Sequence, residues 1–358
     1  MKIMTILGTR PEIIRLSLVI KKLDKICNHI LVHTGQNYSN LLNDIFFQEL
    51  GIRKPDYNFQ VASRSFGIQA AQVLELTEEV LLKERPDKVL ILGDTNSGLS
   101  AIIAERLNIP VFHMEAGNRC FDLKVPEEKN RKIIDAISTY ALPYTLQSKE
   151  NLLKEGIPGN KIFVSGNPIF EVLQYYDKDI EKSNILNNLA IEKDKYILVT
   201  IHRAENVDIK QRLEIILNAI DSVQQEFRCK IIFSIHPRTK SKIEEYSLLN
   251  NNKEIICKEP FGFFDFVKLE KNALFVMTDS GTVQEECCIF HTPTVTIRDT
   301  TERPETVECG SNIVSGINYE KIIICSRLMA DLKKAWNYPE GYIVNNVSNK
   351  VVSYLISK

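Results

Sequence analysis

The residues of this chain best suited to acid–base chemistry are three acidic side chains, Asp94, Glu115 and Glu127. Each follows an apolar, strand-like run, in the stretches Gly93–Thr95, His113–Arg119 and Val125–Arg131. Because the carboxyl ends of parallel strands form the ligand-binding edge of an open α/β sheet, the three carboxylates could converge there. The alternative is that Asp94 caps a helix and that Glu127 only adds a negative charge to the first turn of a helix. Three acids in succession at adjacent junctions favour the catalytic interpretation.

A second group of polar residues, in the C-terminal half, is suited to binding a phosphate. Ser280 and Gly281 follow a strand-like run and open a helical pattern, so the first N–H groups of that helix would point outward, where the helix dipole favours an anion. His202–Arg203 and His236 end two further strand-like runs. Glu286, in the same helical pattern, could accept hydrogen bonds from ribose hydroxyls. The alternative is an ordinary N-cap followed by acidic first-turn residues.

Strand-like runs alternate with helical patterns along the chain, which predicts parallel sheets covered on both faces. The first series of runs is 3–7, 30–34, 88–92, 111–114, 141–144 and 162–164, and the second is 196–201, 230–235, 274–278 and 294–297. We therefore expect an α/β protein with two Rossmann-like, doubly wound parallel-sheet domains facing a cleft. The N-terminal domain should span residues 1–168 and the C-terminal domain 169–346, with a final helix at 347–358 that could pack back on the first domain.

The composition of the 358 residues is that of a globular protein, with 44% hydrophobic and 25% charged residues. A net charge of -1 gives no general attraction to nucleic acid or to a membrane surface, so neither is an expected partner. The 8 cysteines include no C-x-x-C pair, which argues against a zinc site and against a disulfide framework. The chain shows no basic and apolar leader and no apolar run of about 18 residues, so we expect a cytoplasmic location.

Taken together, these residues closely resemble the non-hydrolysing UDP-N-acetylglucosamine 2-epimerase family. The matching motifs follow the family's order across nearly the whole chain and comprise Gly8–Glu12, Thr34–Gln36, Gly93–Thr95, Glu115–Gly117, Pro126–Glu128 with Asn130–Arg131, Gly166–Asn167, His202–Arg203, Thr278–Gly281 with Gln284–Glu286, and Thr301–Glu305. The resemblance implies the two-Rossmann-domain fold of GT-B type that many glycosyltransferases share, and a homodimer. It implies no metal and no nicotinamide cofactor.

The resemblance also implies a mechanism, in which UDP is eliminated to leave a 2-acetamidoglycal and is then added back with the C2 proton delivered to the other face. Two faces require two acid–base groups, and a mutual cluster of carboxylates would raise the pKa of at least one of them. The implied catalytic residues are Asp94, Glu115, Glu127 and His202. The implied substrate- and UDP-binding residues are Arg10, Arg15, Gln36, Arg119, Arg203, His236, Ser280, Gly281, Glu286 and Arg303.

A few positions depart from the usual family pattern. Arg15 stands where the family has lysine, Asn37 stands where it has histidine, and Gly117–Cys120 replaces Gly-Leu-Arg-Thr. The last two variants resemble the branch of the family that makes UDP-N-acetyl-L-fucosamine for capsules and O-antigens. The alternative reaction is interconversion of UDP-N-acetylglucosamine and UDP-N-acetylmannosamine. A glycosyltransferase of the same fold, a hydrolysing epimerase and a non-catalytic nucleotide-sugar sensor are the competing functions.

Overall fold

A computed structural model describes residues 1–35, 40–61, 65–248 and 252–358. The chain forms two compact units, one made of Met1–Tyr175 with Glu340–Lys358 and the other of Tyr176–Pro339. In the described part of the chain, no helix is both long enough and apolar enough to cross a membrane. Gln36 and Asn37, on which part of the family comparison depends, lie outside the described residues.

The first unit is built on a six-stranded parallel sheet. Its strands are Lys2–Leu7 (β1), Asn28–His33 (β2), Tyr57–Asn58 (β3), Lys88–Leu92 (β4), Val111–Met114 (β5) and Tyr140–Leu142 (β6). Their order across the sheet is β3-β2-β1-β4-β5-β6, which is the Rossmann order. Strands β4 and β5 are buried along their whole length, as expected for a parallel sheet that is covered on both faces.

The second unit repeats this topology. Its strands are Tyr196–Thr200 (β7), Lys230–Ser234 (β8), Ile255–Lys258 (β9), Val276–Thr278 (β10), Thr294–Thr296 (β11) and Asn312–Val314 (β12). The order β12-β11-β10-β7-β8-β9 places β7 and β10 side by side at the centre, as β1 and β4 are in the first sheet. The predicted α/β class with two Rossmann-like parallel sheets is therefore confirmed.

Helices connect the strands and cover both sheets. In chain order they are Arg10–Ile26 (α1), Asn40–Glu49 (α2), Phe66–Glu84 (α3), Ala101–Arg106 (α4), Pro126–Ile137 (α5), Leu146–Lys154 (α6), Ile169–Tyr175 (α7), Asp177–Lys182 (α8), Ile185–Asn188 (α9), Ala204–Val207 (α10), Lys210–Phe227 (α11), Pro237–Tyr246 (α12), Phe263–Asn272 (α13), Gly281–Phe290 (α14), Pro304–Glu308 (α15), Tyr319–Ala330 (α16) and Val347–Ser357 (α17). Short 3-10 turns occupy Asn96–Ser100 and Gly159–Lys161. Helix α17 packs against α1 within the first unit.

The structure corrects one predicted strand. Residues 162–164 do not form a strand, and Ile162 makes only an isolated parallel bridge to Ala141. Three short strands, β3, β9 and β12, were not predicted. They extend the sheets on the sides away from the central strand pairs, where the strands are more exposed than the central ones.

Candidate active site

The loops after β1 and β4 meet at the point of the first sheet where the strand order reverses, which is where ligands bind in open α/β sheets. Glu12 joins the two loops. Its Oε2 accepts hydrogen bonds from the backbone N–H groups of Gly8 (2.5 Å) and Thr9 (3.1 Å), and its Oε1 accepts one from Thr95 Oγ1 (2.5 Å). Burial raises the pKa of Glu12 to about 7, against the opposing effect of these hydrogen bonds.

Arg10 is the cation of the same loop. Because Glu12 engages the N–H groups of Gly8 and Thr9, the guanidinium of Arg10 is the group of this turn that is suited to an anionic ligand. It lies over the ring of Phe46, with its central carbon 5.7 Å from the ring centroid. Burial lowers the pKa of Arg10, and an arginine remains charged after such a shift.

Asp94 is held by helix α5. The Nε of Arg131 donates to Asp94 Oδ2 at 2.7 Å, and the side-chain amide of Asn130 donates to the Asp94 carbonyl at 2.9 Å. Arg131 is 1% exposed and also pairs with Glu128 at 2.5 Å. Glu127 lies one turn before Arg131 on the same helix, and residues four apart lie on the same helix face. Helix α5 thus places Glu127 on the same face as the arginine that fixes Asp94.

Glu115 follows β5 in an unusual backbone conformation. Its φ is 67°, in the left-handed region that few residues other than glycine adopt. Its Oε2 is 2.7 Å from Nη1 of Arg15, and the two side chains are 7% and 3% exposed. The predicted substrate-binding residue Arg15 is therefore placed directly against a predicted catalytic carboxylate.

Two of the three carboxylates of this edge are each set against a guanidinium. Asp94 is paired with Arg131, and Glu115 is paired with Arg15. The cause is local: α5 carries Arg131 one turn after Glu127, and α1 carries Arg15.

The structure also corrects the prediction that Arg119 binds the substrate. Its guanidinium has no exposed surface and pairs with Asp135 Oδ2 at 2.7 Å. It also donates to Glu155 (3.0 Å from Nε) and to the Asn118 carbonyl (2.7 Å). The pKa of Glu155 falls to about 2, chiefly because of the hydrogen bond from Arg119. These contacts make Arg119 a structural residue of the loop that follows Glu115.

In the second unit, Asp279 organises the loops after β7 and β10. Its carboxylate accepts from the backbone N–H groups of His202 (3.0 Å) and Arg203 (2.9 Å) and from the side chain of Asn206 (3.0 Å). Burial raises the pKa of Asp279, and these donors lower it only in part. The side chain of His202 is 36% exposed, with Nδ1 3.4 Å from Asp279 Oδ1. Its ring is therefore held at the sheet edge and open to solvent.

His236 lies beside His202, with ring centroids 5.7 Å apart. Its Nδ1 accepts a hydrogen bond from the N–H of Arg238 at 3.2 Å and caps α12. This contact assigns the acceptor role to Nδ1, so the proton of the neutral ring is on Nε2. His236 therefore combines a capping role with a donor that could face a ligand.

Helix α14 begins at the strand-order reversal of the second sheet. Ser280 is its N-cap in an extended conformation, and the Ser280 hydroxyl lies 3.0 Å from that of Thr282. At Gly281, an added Cβ would lie 2.5 Å from Oε1 of Glu302, so a larger residue would require the Glu302 side chain to shift. The helix N-terminus supplies a partial positive charge that favours a phosphate.

The remaining predicted nucleotide-binding residues are largely buried. Arg303 donates to Glu285 through a short hydrogen bond, and the two side chains are 3% and 1% exposed. Arg203 contacts Glu302 at 3.3 Å. Glu286 is 5% exposed on α14. The guanidinium of Arg303 is thus engaged in an ion pair inside the unit, and its role in binding the nucleotide stays a prediction.

Three residues at these edges were missed by the sequence reasoning as parts of the site: Glu12, Asp135 and Asp279. Glu12 and Asp279 lie inside motifs that the sequence analysis noted, but nothing in the sequence identified their backbone partners. Asp135 had a detectable signal, because Glu127, Arg131 and Asp135 recur every four residues and so share one face of α5.

The chain is similar to known proteins over nearly its whole length. Residues 21–356 match the family model described as UDP-N-acetylglucosamine 2-epimerase. The chain is 48% identical to the UDP-N-acetylglucosamine 2-epimerase of Methanocaldococcus jannaschii, covering 95% of each protein. It is 36% identical to the UDP-2,3-diacetamido-2,3-dideoxy-D-glucuronate 2-epimerase of Pseudomonas aeruginosa, covering 99% of each. The crystal structure of the M. jannaschii enzyme in complex with UDP-GlcNAc and UDP matches with a TM-score of 0.96 and 45% identity over 100% of both chains.

Proposed function

Since the chain belongs to the UDP-N-acetylglucosamine 2-epimerase family, a family of isomerases, we propose that it inverts C2 of UDP-N-acetylglucosamine to give UDP-N-acetylmannosamine. The observation that carries the proposal is the edge of the first sheet, where Asp94, Glu115 and Glu127 follow β4, β5 and the start of α5. The activity for which the M. jannaschii relative is named, at 48% identity, supports UDP-N-acetylglucosamine as the substrate to test first.

The proposed chemistry follows from the acidity of the sugar. The C2 proton of a 2-acetamido sugar is not acidic, and departure of UDP from C1 creates the positive character that acidifies it. One carboxylate takes the C2 proton, the C1–O bond breaks with its electron pair leaving on UDP, and a C1–C2 double bond forms. Re-addition reverses these bond changes with the proton delivered to the opposite face, so the reaction consumes no other reagent.

The acid–base groups we propose for the two faces are drawn from Asp94, Glu115 and Glu127. Arg131 and Arg15 hold the first two at 2.7 Å, and because both arginine side chains are almost fully buried, these contacts fix the direction of the carboxylates. A positioned general acid or base contributes about 10²- to 10⁴-fold to a rate.

We propose that the second unit binds the UDP moiety. The N-terminus of α14 at Ser280 and Gly281 and the exposed ring of His202 supply hydrogen-bond donors to the pyrophosphate. Glu286, five residues into the same helix, would accept from the ribose hydroxyls. The family resemblance also assigns Arg10 of the first unit to the pyrophosphate. Arg203 and His236 lie at the same edge as His202 and complete the proposed set.

The proposal includes two finer statements that rest on the family resemblance. We expect a homodimer, which light scattering would detect as twice the chain mass of 41.0 kDa. We also keep UDP-N-acetyl-L-fucosamine formation, a reaction of capsule and O-antigen synthesis, as the second candidate, because Gly117–Cys120 carries that branch's variant. Parallel incubation with both nucleotide sugars would rank the two substrates by kcat/KM.

One incubation tests the proposed activity. Purified protein is mixed with UDP-N-acetylglucosamine, and the products are read by proton NMR. The proposal predicts UDP-N-acetylmannosamine at an equilibrium ratio that is the same from either direction. Free N-acetylmannosamine would indicate a hydrolysing epimerase, and transfer to an added acceptor would indicate a glycosyltransferase. Binding without any product, with every candidate nucleotide sugar, would indicate a sensor.

A further inference from the structure

A buried histidine joins the ends of two neighbouring strands in the first unit. His113 on β5 is 0% exposed, and its Nε2 lies 2.8 Å from the carbonyl oxygen of Gly93, at the end of β4. A carbonyl oxygen only accepts, so Nε2 carries a proton and donates it. The other ring nitrogen, Nδ1, lies 2.8 Å from Oδ1 of Asp135 on α5.

Asp135 extends this contact to the loop after β5. Its Oδ2 accepts from the N–H of Gly117 at 3.1 Å and pairs with Arg119 at 2.7 Å. Burial by itself would raise the pKa of Asp135, but the hydrogen bonds and charges of His113 and Arg119 outweigh it and lower the pKa. One buried pair therefore ties together β4, the loop after β5 and helix α5.

Each of the tied segments carries one of the three carboxylates of the proposed active site. Asp94 directly follows Gly93, Glu115 lies between His113 and Gly117, and Glu127 lies two turns before Asp135 on α5. Glu115 holds a left-handed backbone with φ of 67°, which a non-glycine residue keeps only where its surroundings impose it. The contacts of His113 and Gly117 hold the chain on both sides of this residue.

Gly117 reinforces the same arrangement. Its φ is +79°, and an added Cβ would lie 2.2 Å from the carbonyl oxygen of Ser148, so the loop packs directly against α6. The side chain of Asn151 donates to the Gly117 carbonyl at 3.0 Å. Both polar groups of the Gly117 backbone are thus bound, one by Asp135 and one by Asn151.

We propose that His113 and Asp135 are positioning residues that fix the spacing between Asp94, Glu115 and Glu127, without touching the substrate. The inference rests on the proposed epimerase function. It extends that function by identifying His113 and Asp135 as the residues that keep the acid–base groups for the two faces of the sugar at a fixed separation. Because a misplacement of about 1 Å can cost about 10²-fold in rate, this spacing governs turnover.

The same unit contains a matched pair that separates positioning from folding. His29, at the start of β2, has Nδ1 2.6 Å from Asp24 and Nε2 2.8 Å from the hydroxyl of Thr5. This is again a buried histidine bridging an aspartate and a strand, but it lies at the amino end of the sheet, opposite the carboxylates. Asp24→Ala therefore removes the same type of interaction without changing the spacing of the acids.

The test compares Asp135→Ala, Asp135→Asn and the control Asp24→Ala, all as full chains. We expect Asp135→Ala to lower kcat for epimerisation by about 10²-fold with the dissociation constant for UDP, from calorimetry, changed less than about twofold. Asparagine keeps an oxygen for the Gly117 N–H and an N–H for His113, so Asp135→Asn should restore kcat to within about tenfold of the wild type. Asp24→Ala should keep the wild-type kcat.

A second readout detects misplacement directly. In D₂O, altered spacing should slow proton delivery to one face of the sugar more than proton removal at the other. Asp135→Ala should then raise the amount of C2 deuterium in the recovered substrate relative to the amount of epimer formed. Loss of folded protein lowers both amounts together and cannot change this ratio. If Asp135→Ala does not fold, His113→Gln provides the same test, because it keeps the contact to Gly93 and loses the one to Asp135.

The outcomes separate the inference from the function on which it rests. A wild-type enzyme that forms epimer, with Asp135→Ala or His113→Gln at wild-type kcat and ratio, would overturn the positioning role and leave the function intact. An equal loss of kcat in Asp24→Ala would also overturn it, because the effect would then be one of stability. A wild type that forms no epimer and exchanges no C2 proton would refute the proposed function itself.

Discussion

The carboxyl edges of the two sheets share a topology and differ in chemistry. Both present loops after the first and fourth strands of a Rossmann order. At the first edge these loops and their neighbours carry acids, each of Asp94 and Glu115 set against an arginine. At the second edge the acid Asp279 is buried and collects backbone N–H groups, and a histidine and a helix N-terminus face outward. Under the proposed function, the same fold serves proton transfer at one edge and anion binding at the other.

The difference comes from where each chain segment places its charged residue. In the first unit the acid follows the glycine at the end of β4, outside the strand, and α5 supplies the arginine that fixes it. In the second unit Asp279 directly follows β10, and its buried carboxylate accepts a hydrogen bond from the loop after β7. The next two residues, Ser280 and Gly281, begin helix α14. Asp94 lies two positions after its strand and is partly exposed, whereas Asp279 lies one position after its strand and is fully buried.

The largest expected effect concerns a buried ion pair of the second edge. Arg303→Met should lower the free energy of unfolding by about 3–5 kcal/mol, because it leaves the carboxylate of Glu285 buried without its cation. The double variant Glu285→Gln with Arg303→Met should recover most of this loss, as measured by urea denaturation. If Arg303→Met is as stable as the wild type, Arg303 is available to bind a ligand, and the chemical difference between the two edges is smaller.

The acids of the first edge should control turnover. Asp94→Asn, Glu115→Gln and Glu127→Gln are each expected to lower kcat by at least about 10²-fold, the usual scale for removing a positioned acid or base. Affinity for UDP should stay near that of the wild type. Asp87→Asn is the matched control, because Asp87 binds the N–H of Lys2 at the amino end of the same sheet. Near-normal rates in two of the three variants would make these carboxylates structural.

The second edge should control binding. Ser280→Trp is expected to weaken UDP by about 10²-fold or more, since an indole over the N-terminus of α14 removes charge-assisted hydrogen bonds to the pyrophosphate. Lys193→Trp places the same side chain at an exposed position before β7, at the amino end of the sheet, and should leave UDP affinity unchanged. Titration calorimetry of both variants checks the assignment, and full affinity in Ser280→Trp would remove α14 from the site.

A further expected effect is a pH dependence of stability at the first edge. The pKa of Glu12 is raised from 4.5 to about 7, so between these values the folded protein holds a proton that the unfolded chain has released. Stability from this group is complete below pH 4.5 and is lost as the pH rises through about 7, with a limiting slope of about 1.4 kcal/mol per pH unit. Glu12→Gln imitates the protonated form and should remove this decline. If the free energy of unfolding changes in the same way with pH in the wild type and in Glu12→Gln between pH 4.5 and about 7, the prediction is contradicted.

The fold and the site could be predicted to different depths from the sequence. Central strands such as β4 and β5 are mainly apolar runs followed directly or within one residue by Gly or Glu, so both their positions and their ligand edge were predictable. The outer strand Tyr57–Asn58 has only two half-exposed residues and gave no pattern. The run 162–164 looked like a strand because its apolar residues pack inside the unit, yet it makes only one bridge.

Charged residues were the hardest to assign, because a sequence shows a charge and not its partner. Arg119 and Arg303 were both expected to reach a ligand, and both are buried against acids. Glu155, a partner of Arg119, lies 36 residues further along the chain, and only the packing of α6 beside the loop brings the two together. Such long-range pairs depend on tertiary structure and leave no local pattern.

The most direct test of this account follows the C2 proton. Wild-type protein is incubated with UDP-N-acetylglucosamine in D₂O, and deuterium at C2 is measured by NMR in the epimer formed. Transfer by carboxylates on two faces predicts that each newly formed UDP-N-acetylmannosamine molecule carries solvent deuterium at C2, and that Glu115→Gln slows this incorporation together with epimer formation. An epimer that retains the original C2 hydrogen would contradict the assignment of proton transfer to the first edge.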